Sequence, residues 1–254
     1  MAAWFDTHCH FAPEKGNDTL AIIDKAQETG VAEMLIQATS VEDAPYVLWL
    51  TEQRPGLYAA LGVHPHEASS PWEMNWYRQQ FASNPRVRAV GEIGLDYYYD
   101  FAPRDAQRTL FADFLDLAVE VNRPVVIHCR EAFEDCIRLV REHLPAGHPF
   151  VIHSFTGTED ECRQWLELGA MISVNGMVTF KKSDNIRASL AIIPLERLLL
   201  ETDSPYLAPV PLRGTENTPA NIPVIGEYVA AQRQLPVDEL RNLTTANAHK
   251  FLNL

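Results

Sequence analysis

The stretch WFDTHCHF, residues 4–11, places three possible metal ligands at alternate positions near the start of the chain. Successive side chains of a β-strand point to opposite faces, so Asp6, His8 and His10 are expected on one face and the residues between them on the other. We therefore predict a first strand whose inward face ends in two histidines. The same arrangement recurs along the chain, and this recurrence decides the fold.

Seven further apolar, β-branched runs alternate with segments of helical periodicity. The eight predicted strands cover residues 4–9, 33–38, 57–63, 87–93, 124–129, 149–154, 170–174 and 197–202. Helices are predicted over residues 17–30, 104–122 and 158–169, with two more in 220–253. Such alternation is typical of a parallel α/β sheet. Eight units are the number that closes a (β/α)8 TIM barrel, although the count also fits an open sheet.

The length and composition fit one domain rather than several. The chain has 254 residues, and 46% of them are hydrophobic, which is enough for one large core. No linker or repeat interrupts it, so we expect a single domain over residues 1–254. No run approaches the roughly 20 apolar residues that cross a bilayer. The first candidate ligand, at residue 6, leaves no room for a signal peptide before it.

The charge and the cysteines restrict the class of partner and the compartment. Lys and Arg total 21, Asp and Glu total 34, and the net charge is −13. Such a chain binds long duplex DNA poorly through bulk electrostatics, so any nucleic-acid site must supply its own positive charge. The four cysteines show no CxxC spacing, which favours a reducing compartment, most simply the cytoplasm.

Polar side chains stand at the carboxyl ends of six of the eight predicted strands. They are Asp6, His8 and His10, then His64 and His66, Glu92 and Asp96, His128 and Arg130, His153, and Glu201 and Asp203. In parallel β/α folds the carboxyl ends of the strands carry the functional site. Imidazoles and carboxylates crowded there would repel one another or lose solvation, and a divalent metal removes that cost. The pattern therefore predicts a metal centre.

Eight motifs together resemble the TatD-related metal-dependent hydrolases, within the amidohydrolase-like superfamily of barrels. They are DTHCHF, GVHPH, VGEIGLDYYYD, PVVIHCR, HSFTG, LLLETDSPYLAP, RGTENTPAN and NAHKFL, and they span residues 6–252. The family usually has Cys where this chain has Ser154, and Asn-Glu-Pro where it has Asn217-Thr218-Pro219. Neither departure removes a candidate ligand.

The resemblance implies a (β/α)8 barrel that holds one or two divalent ions. The matching positions are His8, His10 and Asp203 for one ion, His128 and His153 for the other, and Glu92 as the bridge. Many amidohydrolases bridge with a carboxylated lysine, but no lysine ends a strand beside these ligands. Imidazole ligands favour Zn²⁺, Mn²⁺, Co²⁺ or Ni²⁺ because of their softness, and abundant Mg²⁺ is a further candidate.

The expected chemistry is hydrolysis by a metal-activated hydroxide, because a bound divalent ion lowers the pKa of water from about 15.7 toward about 7. The expected catalytic residues are Asp203, Glu92 and His64. Asp203 would orient the nucleophile and accept its proton. His64 has no place among the ligands, so we assign it to a hydrogen bond with the substrate or the hydroxide, with a purely structural position as the alternative. Arg130 suits a phosphate contact in substrate binding, with an ion pair to Glu92, Asp96 or Glu131 as the alternative.

Other polar and aromatic residues near the barrel mouth have competing interpretations. Asp6 and Glu201 are expected to orient ligand imidazoles. The tyrosines of residues 97–99 would stack on a base or pack beneath the next helix. A local positive edge and an ordinary solvated surface are the alternatives for Lys181, Lys182 and Arg213.

The leading functional hypothesis, which rests on the family resemblance, is a TatD-type deoxyribonuclease that cleaves phosphodiester bonds, with 3'-5' exonuclease-like action on DNA ends or single strands. The first alternative is hydrolysis of another ester or amide bond, such as an aminoacyl ester, on the same metal centre. The second alternative is a non-catalytic barrel that binds metal as a scaffold. The expected partner is nucleic acid or a small phosphodiester, with no membrane and no obligate protein partner, and the chain is expected to be a monomer.

Overall fold

The fold is a parallel barrel whose strands follow one another in chain order. The structure, a computed structural model, describes residues 3–11 and 17–254. The strands are β1 (Trp4–Cys9), β2 (Val31–Gln37), β3 (Leu57–Leu61), β4 (Val87–Asp96), β5 (Val125–Arg130), β6 (Phe150–Ile152), β7 (Met171–Val174) and β8 (Leu198–Leu200). Neighbouring strands pair in parallel in the order β1 to β8.

Each strand is followed by a helix, as the alternation predicts. The helices are α1 (Asn17–Glu28), α2 (Ala44–Gln53), α3 (Met74–Ser83), α4 (Arg104–Glu120), α5 (Phe133–His143), α6 (Glu159–Glu167), α7 (Asp184–Ile192), α8 (Ile222–Arg233) and α9 (Val237–Leu252). The start of α6 is fixed by a capping box, in which Thr158 and Glu161 exchange hydrogen bonds with each other's backbone N–H. Within the described residues, no helix is long and apolar enough to cross a bilayer.

The barrel closes where the segment after β8 meets β1. The backbone N–H of Asp203 donates to the carbonyl of His8 at 2.9 Å, and that of His10 donates to the carbonyl of Ser204 at 2.7 Å. Cys9 and Ser204 form an isolated parallel bridge. The closure confirms the predicted (β/α)8 barrel over the open sheet, and it brings the histidines of β1 beside Asp203.

One end of the barrel is filled with apolar side chains. The buried cluster inside the barrel includes Phe5, Leu35, Val126, Val151 and Leu199 from the strands, with Ala248, Phe251 and Leu252 from α9. A second and larger buried cluster lies between the sheet and the surrounding helices. The apolar cluster fills one end of the barrel. The polar side chains lie at the opposite end, where the strands reach their carboxyl ends.

The first strand departs from the strict alternation predicted for it. Its pairing with β2 shifts register between Asp6 and Cys9. The Asp6 carboxylate accepts the backbone N–H groups of His8 and Thr202 and the Thr202 hydroxyl. The expectation that Asp6 orients a ligand imidazole is therefore wrong, because this carboxylate ties β1 to the segment after β8. Burial raises the pKa of Asp6 to about 8.

Several strands end at positions other than those predicted. β6 and β8 stop before His153 and Glu201. Just beyond them, Ser154 and Asp203 adopt left-handed backbone conformations, with φ of 47° and 56°, which do not continue an extended ladder. β4 instead continues to Asp96, three residues past its predicted end. The candidate site is therefore built partly on strand ends and partly on the turns that follow them.

Candidate metal centre

Glu92 is the centre of a cluster of side chains drawn from five strand ends. It lies on β4 and is 2% exposed. Its two carboxylate oxygens face two different groups of residues. The structure brings together all six residues predicted as ligands, namely His8, His10, Glu92, His128, His153 and Asp203.

The first group of side chains faces Glu92 Oε2. The Nε2 atoms of His8 and His10 lie 3.0 Å apart, and they are 3.3 and 3.6 Å from this oxygen. Asp203 Oδ1 lies 3.5 Å from His10 Nε2 and 3.8 Å from His8 Nε2. Two imidazole nitrogens and two carboxylate oxygens thus converge in one small volume, which is the kind of donor set that holds a divalent ion.

The second group faces Glu92 Oε1. His153 Nε2 lies 2.7 Å and His128 Nδ1 lies 2.9 Å from this oxygen, and the two nitrogens are 3.3 Å apart. His64 Nε2 is more distant, at 3.6 Å. Glu92 therefore stands between two sets of imidazoles, at the position where a bridging ligand is expected.

The electrostatics leave a negative charge on Glu92 and a lone pair on His8. Burial by itself would raise the pKa of Glu92, but the histidines around it hold this pKa well below its usual value. Burial lowers the pKa of His8 to about 3, so its imidazole is neutral at pH 7. His8 Nδ1 is buried and has no hydrogen-bond partner among the described residues. Despite their burial, His10, His128 and His153 have raised pKa values because carboxylates lie beside them, so a bound ion would displace their protons. An anionic carboxylate among such imidazoles is a donor set that fits a divalent ion.

Asp96 orients His128, a role that the sequence analysis did not assign to it. Asp96 Oδ2 lies 3.0 Å from His128 Nε2 and 3.0 Å from His66 Nε2. Burial by itself would raise the pKa of Asp96, but the hydrogen bonds from His128 and His66 hold it below its usual value. Burial by itself would lower the pKa of His128, but its hydrogen bonds with Asp96 and Glu92 raise it to about 9. Asp96 thus holds Nε2, and Nδ1, which faces Glu92, is the nitrogen that a bound metal ion would take in place of its proton. The available signal was the even spacing from Glu92, four residues along the same strand.

Glu201 lies beside the other imidazole of the second group, as expected. Its Oε1 lies 3.4 Å from His153 Nδ1. The same oxygen accepts the backbone N–H of Ser154 at 2.6 Å and the side-chain amide of Asn175 at 3.4 Å. Glu201 is thus in position to orient His153 and also fixes the backbone that follows β6.

His64 is held with its Nε2 atom toward the centre. It lies directly before a short 3₁₀ turn, and its Nδ1 accepts the backbone N–H of His66 at 3.2 Å. Burial lowers the pKa of His64 well below its usual value, so the ring is neutral. A neutral ring that accepts at Nδ1 carries its proton on Nε2, which therefore faces Glu92 as a donor. This tautomer suits the predicted hydrogen bond to substrate and gives Nε2 no lone pair for a metal.

A cavity of about 1420 Å³ opens over both groups. Its lining includes residues of the turn after β4 and of the Pro-rich segment after β8. Arg130 is the one Arg or Lys among the described residues that line it. The Arg130 guanidinium stacks over the rings of Tyr98 and Tyr99, at 4.3 and 5.0 Å from their centroids. The guanidinium of Arg130 thus lies against two aromatic rings beside the candidate centre.

The remaining residues considered near the mouth take different positions. Tyr97 donates its hydroxyl to Asp135 at 2.6 Å, whereas Tyr98 and Tyr99 are exposed. The described lining of the cavity does not include Lys181, Lys182 or Arg213. Arg213 instead stacks on the ring of Phe180 at 4.2 Å. A local positive edge, one of the two alternatives for these three residues, is therefore not part of the described cavity lining.

Known proteins resemble this chain over nearly its whole length. A family model described as TatD related DNase matches residues 5–253. The chain belongs to the TatD-related DNase family. It is 32% identical to an uncharacterised metal-dependent hydrolase of Bacillus subtilis, YabD, over 98% of this chain and 99% of that protein. It is 37% identical to the 3'-5' ssDNA/RNA exonuclease TatD of Musicola paradisiaca, over 94% of this chain and 93% of that protein.

Solved structures extend this family relationship to the fold. The chain superposes on the crystal structure of YjjV, a TatD homologue from Escherichia coli K12, with a TM-score of 0.92 and 31% identity. The match covers 100% of this chain and 99% of that chain. The predicted family and the predicted class, a metal-dependent hydrolase with a TIM barrel, are both confirmed.

The two departures from the usual TatD motifs keep structural contacts around the mouth. Ser154 Oγ accepts the Asn175 amide at 2.8 Å. The second departure is Thr218, and Asn217 before it matches the usual motif and donates its side-chain amide to the carbonyls of Thr202 and Tyr206, at 2.9 and 2.7 Å. Ser154 and Asn217 brace the turns after β6 and β8 that present His153 and Asp203, and neither departure replaces a candidate ligand.

Proposed function

We propose that this chain hydrolyses phosphodiester bonds of single-stranded nucleic acid with one or two divalent ions held by the six clustered residues. The observation that carries the proposal is the position of Glu92, whose two oxygens face two separate imidazole pairs. The first pair, with Asp203, would hold one ion, and the second pair would hold the other. The donor set suits Zn²⁺, Mn²⁺, Co²⁺, Ni²⁺ or Mg²⁺.

Bound divalent ions supply an acidified water and withdraw charge from a phosphoryl group. The protein residues position the reactants. Asp203 lines the cavity and is suited to accept a proton from the attacking water. His64 directs its Nε2–H into the same region, where it donates to a phosphoryl oxygen. Arg130, at the cavity wall, contacts a phosphate of the substrate strand.

Single-strand ends are the substrates that the surroundings of the centre favour. The M. paradisiaca relative is named a 3'-5' ssDNA/RNA exonuclease, and we assign the same polarity to this chain. The candidate centre lies within a cavity rather than on an open surface, and the chain carries a net charge of −13. A long duplex is therefore repelled, while an unpaired end is thin enough to enter.

We further infer that one chain, folded as a single domain, is sufficient as a monomer in the cytoplasm. The six clustered residues of the candidate centre belong to one chain. Cys9, Cys129, Cys136 and Cys162 are all free thiols, which suits a reducing compartment.

The test is degradation of a 5'-labelled single-stranded 12-mer by Mn²⁺-loaded protein. The wild type is expected to shorten the strand from its 3' end. Glu92→Gln keeps the size of the side chain but removes its charge, so its rate is expected to fall at least about a hundredfold. Glu134→Gln is the matched control, because Glu134 is an exposed glutamate that lines the same cavity. Its rate is expected to stay within about twofold of the wild type.

Three other outcomes contradict the proposal. Equal degradation by the wild type and Glu92→Gln would show that the activity does not come from this centre. Turnover of p-nitrophenyl acetate or an aminoacyl ester, with the DNA left intact, would transfer the function to ester hydrolysis. No turnover of any of these substrates by the metal-loaded protein would reject the nuclease assignment.

A further inference from the structure

Three exposed aromatic side chains lie beside the candidate centre, in the turn after β4. Tyr98, Tyr99 and Phe101, here called the aromatic platform, are 54%, 47% and 68% exposed. The rings of Tyr99 and Phe101 stack at 5.3 Å with an interplanar angle of 22°. Exposed aromatic rings gathered in one place are costly to keep in water, and such patches commonly mark a binding surface.

The platform is fixed to the candidate centre through one carboxylate. Asp96 Oδ1 accepts the backbone N–H groups of Tyr98 and Tyr99, at 3.0 and 2.9 Å. Its other oxygen contacts His128 and His66. The His66 ring meets the edge of the platform, 4.8 Å from the Phe101 ring. A ligand on the platform would thus lie at a set position relative to the candidate metal ligands.

The charge around the cavity determines which kind of contact can bind a strand there. Its described lining contains ten acidic residues, namely Asp43, Glu67, Glu92, Asp96, Glu131, Glu134, Asp135, Glu161, Asp203 and Glu216. The lining has Arg130 as its one described Arg or Lys. Non-specific strand binding normally relies on many Lys and Arg contacts to phosphates. Here such contacts are scarce, so affinity must come largely from another source.

We propose that the aromatic platform is a nucleobase-binding subsite, in which a base of a single-stranded substrate stacks on the exposed Phe101 ring, which Tyr99 supports from behind, while Arg130 contacts an adjoining phosphate. The proposal rests on the proposed function and adds to it the part of the substrate that supplies affinity. Stacking is available to every base because each has a π-face. A base inside a duplex is already covered on both faces, so the platform selects unpaired strands.

The test is equilibrium binding of two phosphorothioate-linked hexamers to metal-loaded protein, measured by fluorescence anisotropy. One is oligo-deoxyadenylate, and the other is an abasic strand with the same number of phosphates. Strand integrity is checked by mass spectrometry afterwards. Phe101→Ala is expected to weaken binding of the adenylate about five- to a hundredfold, and binding of the abasic strand less than about twofold.

Two further variants serve as controls. Phe101→Trp retains an aromatic face and is expected to keep adenylate affinity within about twofold of the wild type. Trp49→Ala removes an exposed aromatic ring of α2 that lies outside the described cavity lining. It is expected to change neither affinity.

The results that overturn the proposal are specific to the platform. An unchanged adenylate affinity in Phe101→Ala, or an equal loss for both hexamers, would show that no base stacks there. An equal loss in Trp49→Ala would place the binding surface elsewhere. Base-dependent binding by a protein that hydrolyses no phosphodiester would support the platform and reject only the proposed function, so the two failures are distinguishable.

Discussion

For His64 and His128, a hydrogen bond on the far side of the imidazole determines which nitrogen faces the candidate centre. Asp96 holds His128 Nε2, which turns Nδ1 toward Glu92. His64 accepts a backbone N–H at Nδ1, which turns its Nε2–H toward the same carboxylate. These two histidines, one after β3 and one on β5, therefore have different roles: His128 Nδ1 would bind a metal ion in place of its proton, whereas His64 Nε2–H is a hydrogen-bond donor.

His64→Phe separates these two roles. Removing a donor to a phosphoryl oxygen is expected to lower kcat/KM for the single-stranded 12-mer about a hundredfold. The metal content measured by mass spectrometry is expected to stay unchanged, because the donor tautomer does not bind metal. His64→Gln restores an N–H group, and we expect it to recover part of the rate. A fall in metal content for His64→Phe would instead make His64 a ligand.

At this scale the sequence is informative about residue types but not about their hydrogen-bond partners. The polar strand ends predicted a metal centre, and the family resemblance implied His8, His128 and Asp203 among its ligands. The roles of Asp6 and Asp96 depend on a register shift in β1 and on the extension of β4, respectively. Neither the register shift nor the longer strand follows from the alternation of side chains in the sequence.

At the scale of elements, β4 and β5 approach each other so closely that one position excludes any side chain. A Cβ atom on Gly94 would lie 1.9 Å from the carbonyl oxygen of His128, and φ at Gly94 is +144°. This close approach sets the pairing in which Gly94 lies opposite His128 and Asp96 lies opposite Arg130. The local backbone of β4 therefore positions a candidate ligand on β5.

Gly94→Ala is expected to destabilise the fold by at least about 3 kcal/mol, through a steric clash added to backbone strain. Gly147→Ala is the matched control, because φ there is also positive, at +84°, but a Cβ would meet nothing within 4 Å. Its cost is expected to be roughly 1 kcal/mol. Urea unfolding measures both free energies of unfolding. Equal losses of unfolding free energy in the two variants would show that the close contact between β4 and β5 adds nothing to the cost of Gly94→Ala.

The element predictions were most accurate where hydrophobic patterning acts alone. β1 has the predicted bounds, and α1 and α4 lie within their predicted segments. The ends of β6 and β8 were overestimated, because these strands stop at Ile152 and Leu200 and the backbone turns to left-handed φ at Ser154 and Asp203. A periodic pattern in the sequence does not reveal a change to left-handed φ.

At the scale of the whole molecule, the closed barrel brings together residues that lie far apart in the chain. His8 on β1 and Asp203 after β8 become neighbours because the first and last strands meet. The count of eight units and the polar strand ends favoured a barrel with a metal centre, and the family resemblance implied the closed barrel and the ligand set. The cavity wall was not predictable, since the stacking of Arg130 on Tyr98 and the absence of Lys181 from the described cavity lining depend on how the turns fold.

The central claim is that the cluster around Glu92 is a metal centre, and the metal content of the purified protein tests it most directly. Chain prepared from metal-replete growth is expected to carry between about one and two divalent ions, measured by inductively coupled plasma mass spectrometry. Glu92→Gln is expected to lose most of this metal. His143→Ala, which removes a histidine paired with Asp116 away from the cavity, is expected to keep it. Less than about half an ion per chain in the wild type, or equal content in Glu92→Gln, would contradict the claim.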